Sequence, residues 1–162
     1  MKLLVVCLGN ICRSPMGEGA LRARIERSPL AGRIEVDSAG TAGWHHGKPP
    51  DPRAVACARR HGVDISGLRA RQLQPADFLH FDHILCADPD NLDDALALAP
   101  PEARARAALL LPWAGITAAS VVPDPYYGDD TDFEHSWTLL EAAAEAAVQR
   151  LSARPDSGII GP

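Results

Sequence analysis

Leu3-Leu4-Val5-Val6-Cys7-Leu8-Gly9-Asn10-Ile11-Cys12-Arg13-Ser14-Pro15 carries the densest signal in the chain. Residues 3–6 are consecutive apolar side chains, two of them β-branched valines, which suits a strand buried on both faces. Gly9-Asn10 breaks the run. Ser14-Pro15 then reads as an N-cap followed by proline at the first helical position. A buried strand that turns into a helix through a short polar loop opens an α/β fold.

The pattern repeats downstream. Leu21 and Ile25 continue the first helix until Ser28-Pro29. Residues 34–38 alternate as a second strand, closed by Ala39-Gly40-Thr41. Asp51-Pro52 opens a helix through Ala54, Val55 and Ala58, which stops at Gly62. Residues 83–87 read as a third buried strand. Asp88-Pro89 then caps a helix with Leu92 and Leu96 on one face, and residues 108–111 read as a fourth strand. Trp137, Leu140, Ala144, Val148 and Leu151 step by three and four along a long amphipathic helix. These elements predict a three-layer α/β fold: a central four-stranded parallel sheet flanked by helices, with a phosphate-binding loop after strand one. A single domain is expected over residues 1–154, with a loose tail over 155–162.

Composition narrows the function. A chain of 162 residues with 46% hydrophobic and 23% charged residues has the profile of one soluble globule. A net charge of −5 excludes a general nucleic-acid binder, although a local site can still oppose that charge. The apolar run at the N-terminus ends by Leu8, too short for a signal-peptide core. Residues 108–122 are interrupted by Pro112 and Gly115 and are too short to span a membrane. Cys7, Cys12, Cys57 and Cys86 show no CxxC or Cys/His spacing for zinc, so no metal is expected. Cys7 and Cys12 are too close to close a useful structural loop. These cysteines predict a reducing, cytoplasmic location.

In α/β folds ligands bind beyond the carboxyl ends of the strands, which singles out the turn after strand one. Backbone N–H groups of such a loop, backed by the helix dipole, form a concave anion site. Gly9 and Asn10 are suited to the left-handed conformations that a tight curl needs. Arg13 offers a planar fork to two oxygens of a tetrahedral anion. The same positive environment favours a thiolate at Cys7. The bare Cys-x5-Arg spacing is weak evidence in a chain with 14 arginines; its strand–loop–helix context makes it specific. A phosphate ester also needs a proton for its leaving group. Asp-Pro occurs at 51, 88 and 124. N-capping accounts for the first two, whereas Asp124 lies between Pro123 and Pro125 where no helix begins, which suits a general acid.

Val6-Cys7-Leu8-Gly9-Asn10-Ile11-Cys12-Arg13-Ser14-Pro15 resembles the signature of the low-molecular-weight protein tyrosine phosphatases. The resemblance continues through Val36-Asp37-Ser38-Ala39-Gly40-Thr41, Gly43-Trp44, Asp51-Pro52-Arg53-Ala54 and Ala70-Arg71-Gln72. It resumes at Asp77-Phe78, Phe81-Asp82, Ile84-Leu85-Cys86, Asp124-Pro125-Tyr126-Tyr127-Gly128 and Asp132-Phe133. It implies hydrolysis of phosphotyrosine through a phosphocysteine at Cys7, with Asp124 as acid and then base, and no cofactor. Leu8, Gly9, Asn10, Ile11, Cys12, Arg13 and Ser14 would hold the phosphate, while Trp44, Tyr126 and Tyr127 would wall the cleft. Ser14 would donate to the Cys7 sulfur, Asn10 and Ser38 would support the loop, and Cys12 would guard an oxidised Cys7 through a reversible disulfide. The implied partners are a phosphotyrosine-containing protein, such as a bacterial tyrosine kinase, and inorganic phosphate as product and inhibitor.

Three rivals differ at identifiable residues. A thioredoxin-coupled arsenate reductase needs a closely spaced downstream cysteine pair, and Cys57 and Cys86 are not one. Phosphoarginine-preferring relatives carry threonine where this chain has Ile11. A catalytically dead phosphate-binding module would not need Cys7, Arg13 and Asp124 together. The chain departs from the family at Ala87, where methionine is common, and at Leu68, where mammalian members carry histidine. Cys57, Cys86, Trp113 and Trp137 read as packing residues and His45-His46 as an exposed loop; His61, His80, His83 and His135 carry no legible signal.

Overall fold

The computed structural model describes residues 1–153, so the tail expected over 155–162 lies outside the described residues. Four parallel strands form one sheet: β1 (Lys2–Cys7), β2 (Glu35–Gly40), β3 (His83–Cys86) and β4 (Ala107–Leu109), in the order β2-β1-β3-β4. β1 is central, and its pleat sends alternate side chains into two different cores. Leu3, Val5 and Cys7 join one cluster with Met16, Leu21, Phe133 and Trp137. Leu4 and Val6 join the other with Phe78, Ile84 and Ala95. This two-sided burial is why the β1 sequence is continuously apolar.

The first layer of helices contains α1 (Arg13–Glu26), α2 (Pro52–Arg60), α5 (Leu110–Ala114) and α6 (Asp130–Ser152). The other contains α3 (Asp77–His80), α4 (Pro89–Leu98) and a 3-10 turn at Pro101–Arg106. Asp51 caps α2 by accepting from the Arg53 N–H, and Asp88 caps α4 by accepting from the Asn91 N–H. Among the described residues no helix is long and apolar enough to cross a membrane.

Several local expectations are corrected. Ser14 is not an N-cap: α1 starts at Arg13, two residues before the expected Pro15, Cys12 occupies the cap position without a capping side chain, and the Ser14 hydroxyl turns to Cys7. Residues 108–111 divide between β4 and α5, because Pro112 sits within the helical turn and Gly115 ends it at φ 99°. A short apolar run has no periodicity by which to choose between strand and buried helix. α6 begins at Asp130, well before its first apolar step, because Asp129 and Asp132 form a reciprocal capping box.

Strand order reverses at β1, with β2 on one side and β3 on the other. The loops leaving the carboxyl ends of β1 and β3 therefore diverge around a crevice. Cys7 ends the first strand and Asp88 follows the second by two residues.

Candidate active site

The loop from Leu8 to Cys12 curls back over the end of β1. Asn10 is its left-handed turning point, at φ 57°. Gly9 does not share that conformation, contrary to the sequence reading. It is needed for space, since a Cβ there would meet the His45 ring at 3.0 Å. Gly40 has the same duty at the end of β2: a Cβ would meet the Leu8 carbonyl at 2.7 Å and the Asn10 nitrogen at 3.1 Å.

A buried hydrogen-bond relay fixes the curl. Asn10 Oδ1 accepts from the Arg71 N–H at 3.0 Å. Its Nδ2 donates to Ser14 Oγ at 2.7 Å and to Ser38 Oγ at 3.0 Å. Each hydroxyl thereby accepts from Asn10 and keeps its own proton to donate onward. Ser38 gives its proton to Glu18 Oε1 at 2.7 Å, and Ser14 Oγ lies 3.0 Å from Cys7 Sγ. The Ser14 N–H also points at that sulfur, 3.4 Å away. Two donors thus converge on Cys7. Glu18 is fully enclosed; burial pushes its carboxyl up, against the Ser38 hydrogen bond and the Arg22 guanidinium.

Arg13 is buried at the start of α1. Its Nη1 donates to Asp88 Oδ2 at 2.7 Å and to the Val122 carbonyl at 3.1 Å, and its Nη2 lies 3.7 Å from Asp124 Oδ2. Burial opposes its charge, but Cys7, Asp88 and Asp124 outweigh that and hold its proton above the ordinary arginine range. Asp88 serves two structures at once: Oδ1 caps α4 and Oδ2 fixes the guanidinium. The sequence shows only the first role.

The Asp124 loop is anchored at both ends. The Val122 N–H donates to the Ala87 carbonyl at 2.9 Å, and the enclosed Ser136 hydroxyl donates to the Pro123 carbonyl at 2.8 Å. Arg53 donates to the Tyr126 carbonyl at 2.9 Å and the Gly128 carbonyl at 3.2 Å, with its guanidinium over the Phe133 ring. Asp124 Oδ1 accepts from the Tyr126 N–H at 3.1 Å, and the side chain remains 42% exposed.

Cys7, Cys12 and Arg13 floor a cleft of about 200 Å³. Its walls are Leu8, Gly9, Ile11, Trp44, His45, Asp124, Tyr126 and Tyr127. Trp44 is 70% exposed and Tyr127 95% exposed, and the two tyrosine rings meet edge to face at 4.9 Å. Large aromatic faces left open to water at a cleft mouth suit a flat apolar ligand. His45 belongs to this wall, half-buried over Gly9, so the exposed-loop reading holds for His46 alone. Cys12 is a buried thiol held protonated: burial, then Asp51, Cys7 and Asp124, push it far up against a smaller effect of Arg53. All four cysteines are free.

Comparison with known proteins agrees in sequence and in shape. The family model described as low molecular weight phosphotyrosine protein phosphatase matches residues 2–156. The low molecular weight phosphotyrosine protein phosphatase of Schizosaccharomyces pombe is 40% identical over 141 residues, covering 86% of this chain and 90% of the relative. The crystal structure of a protein tyrosine phosphatase from Entamoeba histolytica, with Hepes in its active site, superposes at a TM-score of 0.89 and 34% identity. It covers 94% of this chain and 97% of that one. Vibrio vulnificus Wzb in complex with benzylphosphonate superposes at 0.81, also at 34% identity, covering 93% and 98%.

Proposed function

The chain belongs to the low molecular weight phosphotyrosine protein phosphatase family, and from that membership we propose that Cys7 is its nucleophile, Arg13 and the loop amides its phosphate clamp, and Asp124 its general acid and base. The observation that carries this reading is the convergence of Cys7, Arg13 and Asp124 on one cleft, with the Ser14 hydroxyl and N–H both aimed at the sulfur.

The reaction then has two displacements. The Cys7 thiolate attacks phosphorus, an S–P bond forms, the P–O bond to tyrosine breaks, and Asp124 delivers its proton to the departing phenolate. Water next attacks the phosphocysteine while the Asp124 carboxylate takes a proton from it. The S–P bond breaks, and phosphate and the thiolate are released. Ser14 contributes most when the sulfur carries negative charge, at the start of the first step and the end of the second. Arg13 and the loop amides hold the equatorial oxygens throughout, a preorganised electrostatic contribution that requires no rearrangement.

Substrate class rests on Ile11 and the aromatic mouth. Ile11 adds apolar surface to the cleft wall, which favours an aryl phosphate over a guanidino phosphate. Benzylphosphonate, the compound bound by Vibrio vulnificus Wzb, has that aryl shape. We assign the enzyme to phosphotyrosine proteins, a tyrosine kinase among the candidates, and to the reducing cytoplasm in which free Cys7 and Cys12 persist. A phosphotyrosine peptide and a phosphoarginine peptide, compared in EDTA, test the assignment. Preferred phosphotyrosine turnover is expected, and preferred phosphoarginine turnover would overturn the role given to Ile11.

Asp88 gives a separate prediction. Asp88→Asn keeps a good capping side chain but removes the charge that orients Arg13. The inhibition constant of inorganic phosphate is expected to rise several-fold while the thermal midpoint barely moves. Asp88→Ala should weaken phosphate equally and also lose about 1 kcal/mol of stability with the cap. Unchanged phosphate inhibition in both variants would refute Asp88 as the residue that positions Arg13.

A further inference from the structure

Away from the cleft, the end of α2 and the first turns of α6 bring Cys57, His61 and Glu134 together, with ligand atoms all within 4.8 Å of one another. We propose that these side chains form a binding site for a thiophilic divalent cation, zinc foremost, through Cys57 Sγ, His61 Nε2 and the Glu134 carboxylate, with water completing a tetrahedron.

The donor set supports this first. One thiolate, one imidazole and one carboxylate match the ligand types zinc takes, and three protein ligands plus water is a recurrent zinc arrangement. Geometry agrees. Cys57 Sγ donates to Glu134 Oε2 at 2.8 Å, and His61 Nε2 lies 3.0 Å from Oε1 and 3.1 Å from Oε2. Metal–ligand bonds of about 2.0–2.3 Å in a tetrahedron space their donors by roughly 3.3–3.6 Å. The two contacts to Glu134 need to open by about half an ångström, and Cys57 Sγ and His61 Nε2 lie within 4.8 Å of each other.

The surroundings are already ordered. Cys57 and His61 lie four residues apart, so the helical repeat puts them on one face. The His61 ring stacks on Trp137, centroids 5.2 Å apart and 15° from parallel, which fixes its direction as an outer-shell group would. Cys57 is fully buried, whereas the His61 and Glu134 side chains are 33% and 39% exposed. The soft ligand is therefore enclosed while the ion and its water have an entrance. One group opposes binding: the Arg60 guanidinium, 3.6 Å from Glu134 Oε2.

Without metal the thiol keeps its proton. Burial first, then the hydrogen bond to Glu134 and that carboxylate's charge, push Cys57 up to about 12. Binding must expel this proton: the S–H bond breaks, an S–Zn bond forms, and the proton passes to solvent. Binding is therefore coupled to the release of one proton per ion from the thiol. The sequence carries only the Cys57 and His61 pair at helical spacing; the third ligand, Glu134, lies 73 positions beyond His61. An ion there would join α2 to α6. α2 also carries Arg53, one turn before Cys57, which grips the Tyr126 and Gly128 carbonyls of the Asp124 loop.

Cobalt titration of EDTA-stripped protein tests the proposal, because a cobalt–thiolate bond has its own near-ultraviolet charge-transfer band. The wild type should develop that band and tetrahedral visible bands at a single equivalent, and zinc should bleach both. Cys7→Ser should retain the signal, Cys57→Ser should lose it, and His61→Gln should weaken affinity at least tenfold. The partly exposed His61 keeps the test valid if Cys57→Ser folds poorly. Zinc should raise the thermal midpoint of Cys7→Ser but not of His61→Gln. A thiolate band that depends on Cys7 and survives Cys57→Ser would move the metal to the phosphate cleft and overturn the site. Absence of any thiolate band would overturn it as well.

Discussion

Cys7→Ser is expected to lower phosphotyrosine hydrolysis by at least ~10⁴-fold while leaving peptide binding intact or tighter. A serine Oγ fits where Sγ sits and can still accept from the Ser14 hydroxyl and N–H, so the loop retains its relay. What changes is chemistry: a neutral hydroxyl is a poor nucleophile without an adjacent base, and the donors aimed at it come from Ser14, not from a base. Binding moves the other way, because the variant no longer sets an anionic sulfur against an anionic phosphate. Turnover, peptide affinity by calorimetry and the thermal midpoint should be measured together. Lost turnover with retained affinity and stability identifies the nucleophile. Residual activity above about a hundredth of wild type would remove Cys7 from that role.

The legibility of this site follows from where its determinants lie in the chain. The loop could be read because its parts are contiguous: the strand, the Gly9-Asn10 break and the start of a helix occupy little more than a dozen residues. The sheet was equally accessible, since β1 and β3 are apolar on both faces and proline or polar caps mark the following helices. Tertiary approaches that no motif carries are not legible in this way. Asp88 reads as a cap because its pairing with Arg13 spans 75 positions. Glu18 carries no motif, yet α1 is buried around it and Ser38 donates to it from β2. His45 has no motif; it closes over Gly9, where a Cβ would meet its ring at 3.0 Å. Ser14 reads locally as a cap, because a serine before a proline is a common one; its donation to a thiol seven positions earlier is legible through the family resemblance and not through propensity.

Asp124→Asn should lower kcat for phosphotyrosine by about 10²–10⁴-fold, with KM unchanged or lower. The substitution is isosteric at a partly exposed position, and the amide oxygen can still accept from the Tyr126 N–H, so stability should hold within about 0.5 kcal/mol. Binding should not suffer either, because Arg13 keeps Asp88 as its partner. The lost function is proton delivery, which matters in proportion to the basicity of the leaving group. Tyrosine, a poor leaving group, should bear the full loss; p-nitrophenol, which departs readily as an anion, should lose much less in the first displacement. The second displacement needs a base whatever the ester. With p-nitrophenyl phosphate the variant should therefore show a burst of nitrophenol equal to the enzyme concentration, followed by slow release of phosphate. A leaving-group dependence identical to that of wild type, without a burst, would assign proton transfer elsewhere. In that case His45, which also lines the cleft, would be the next residue to substitute.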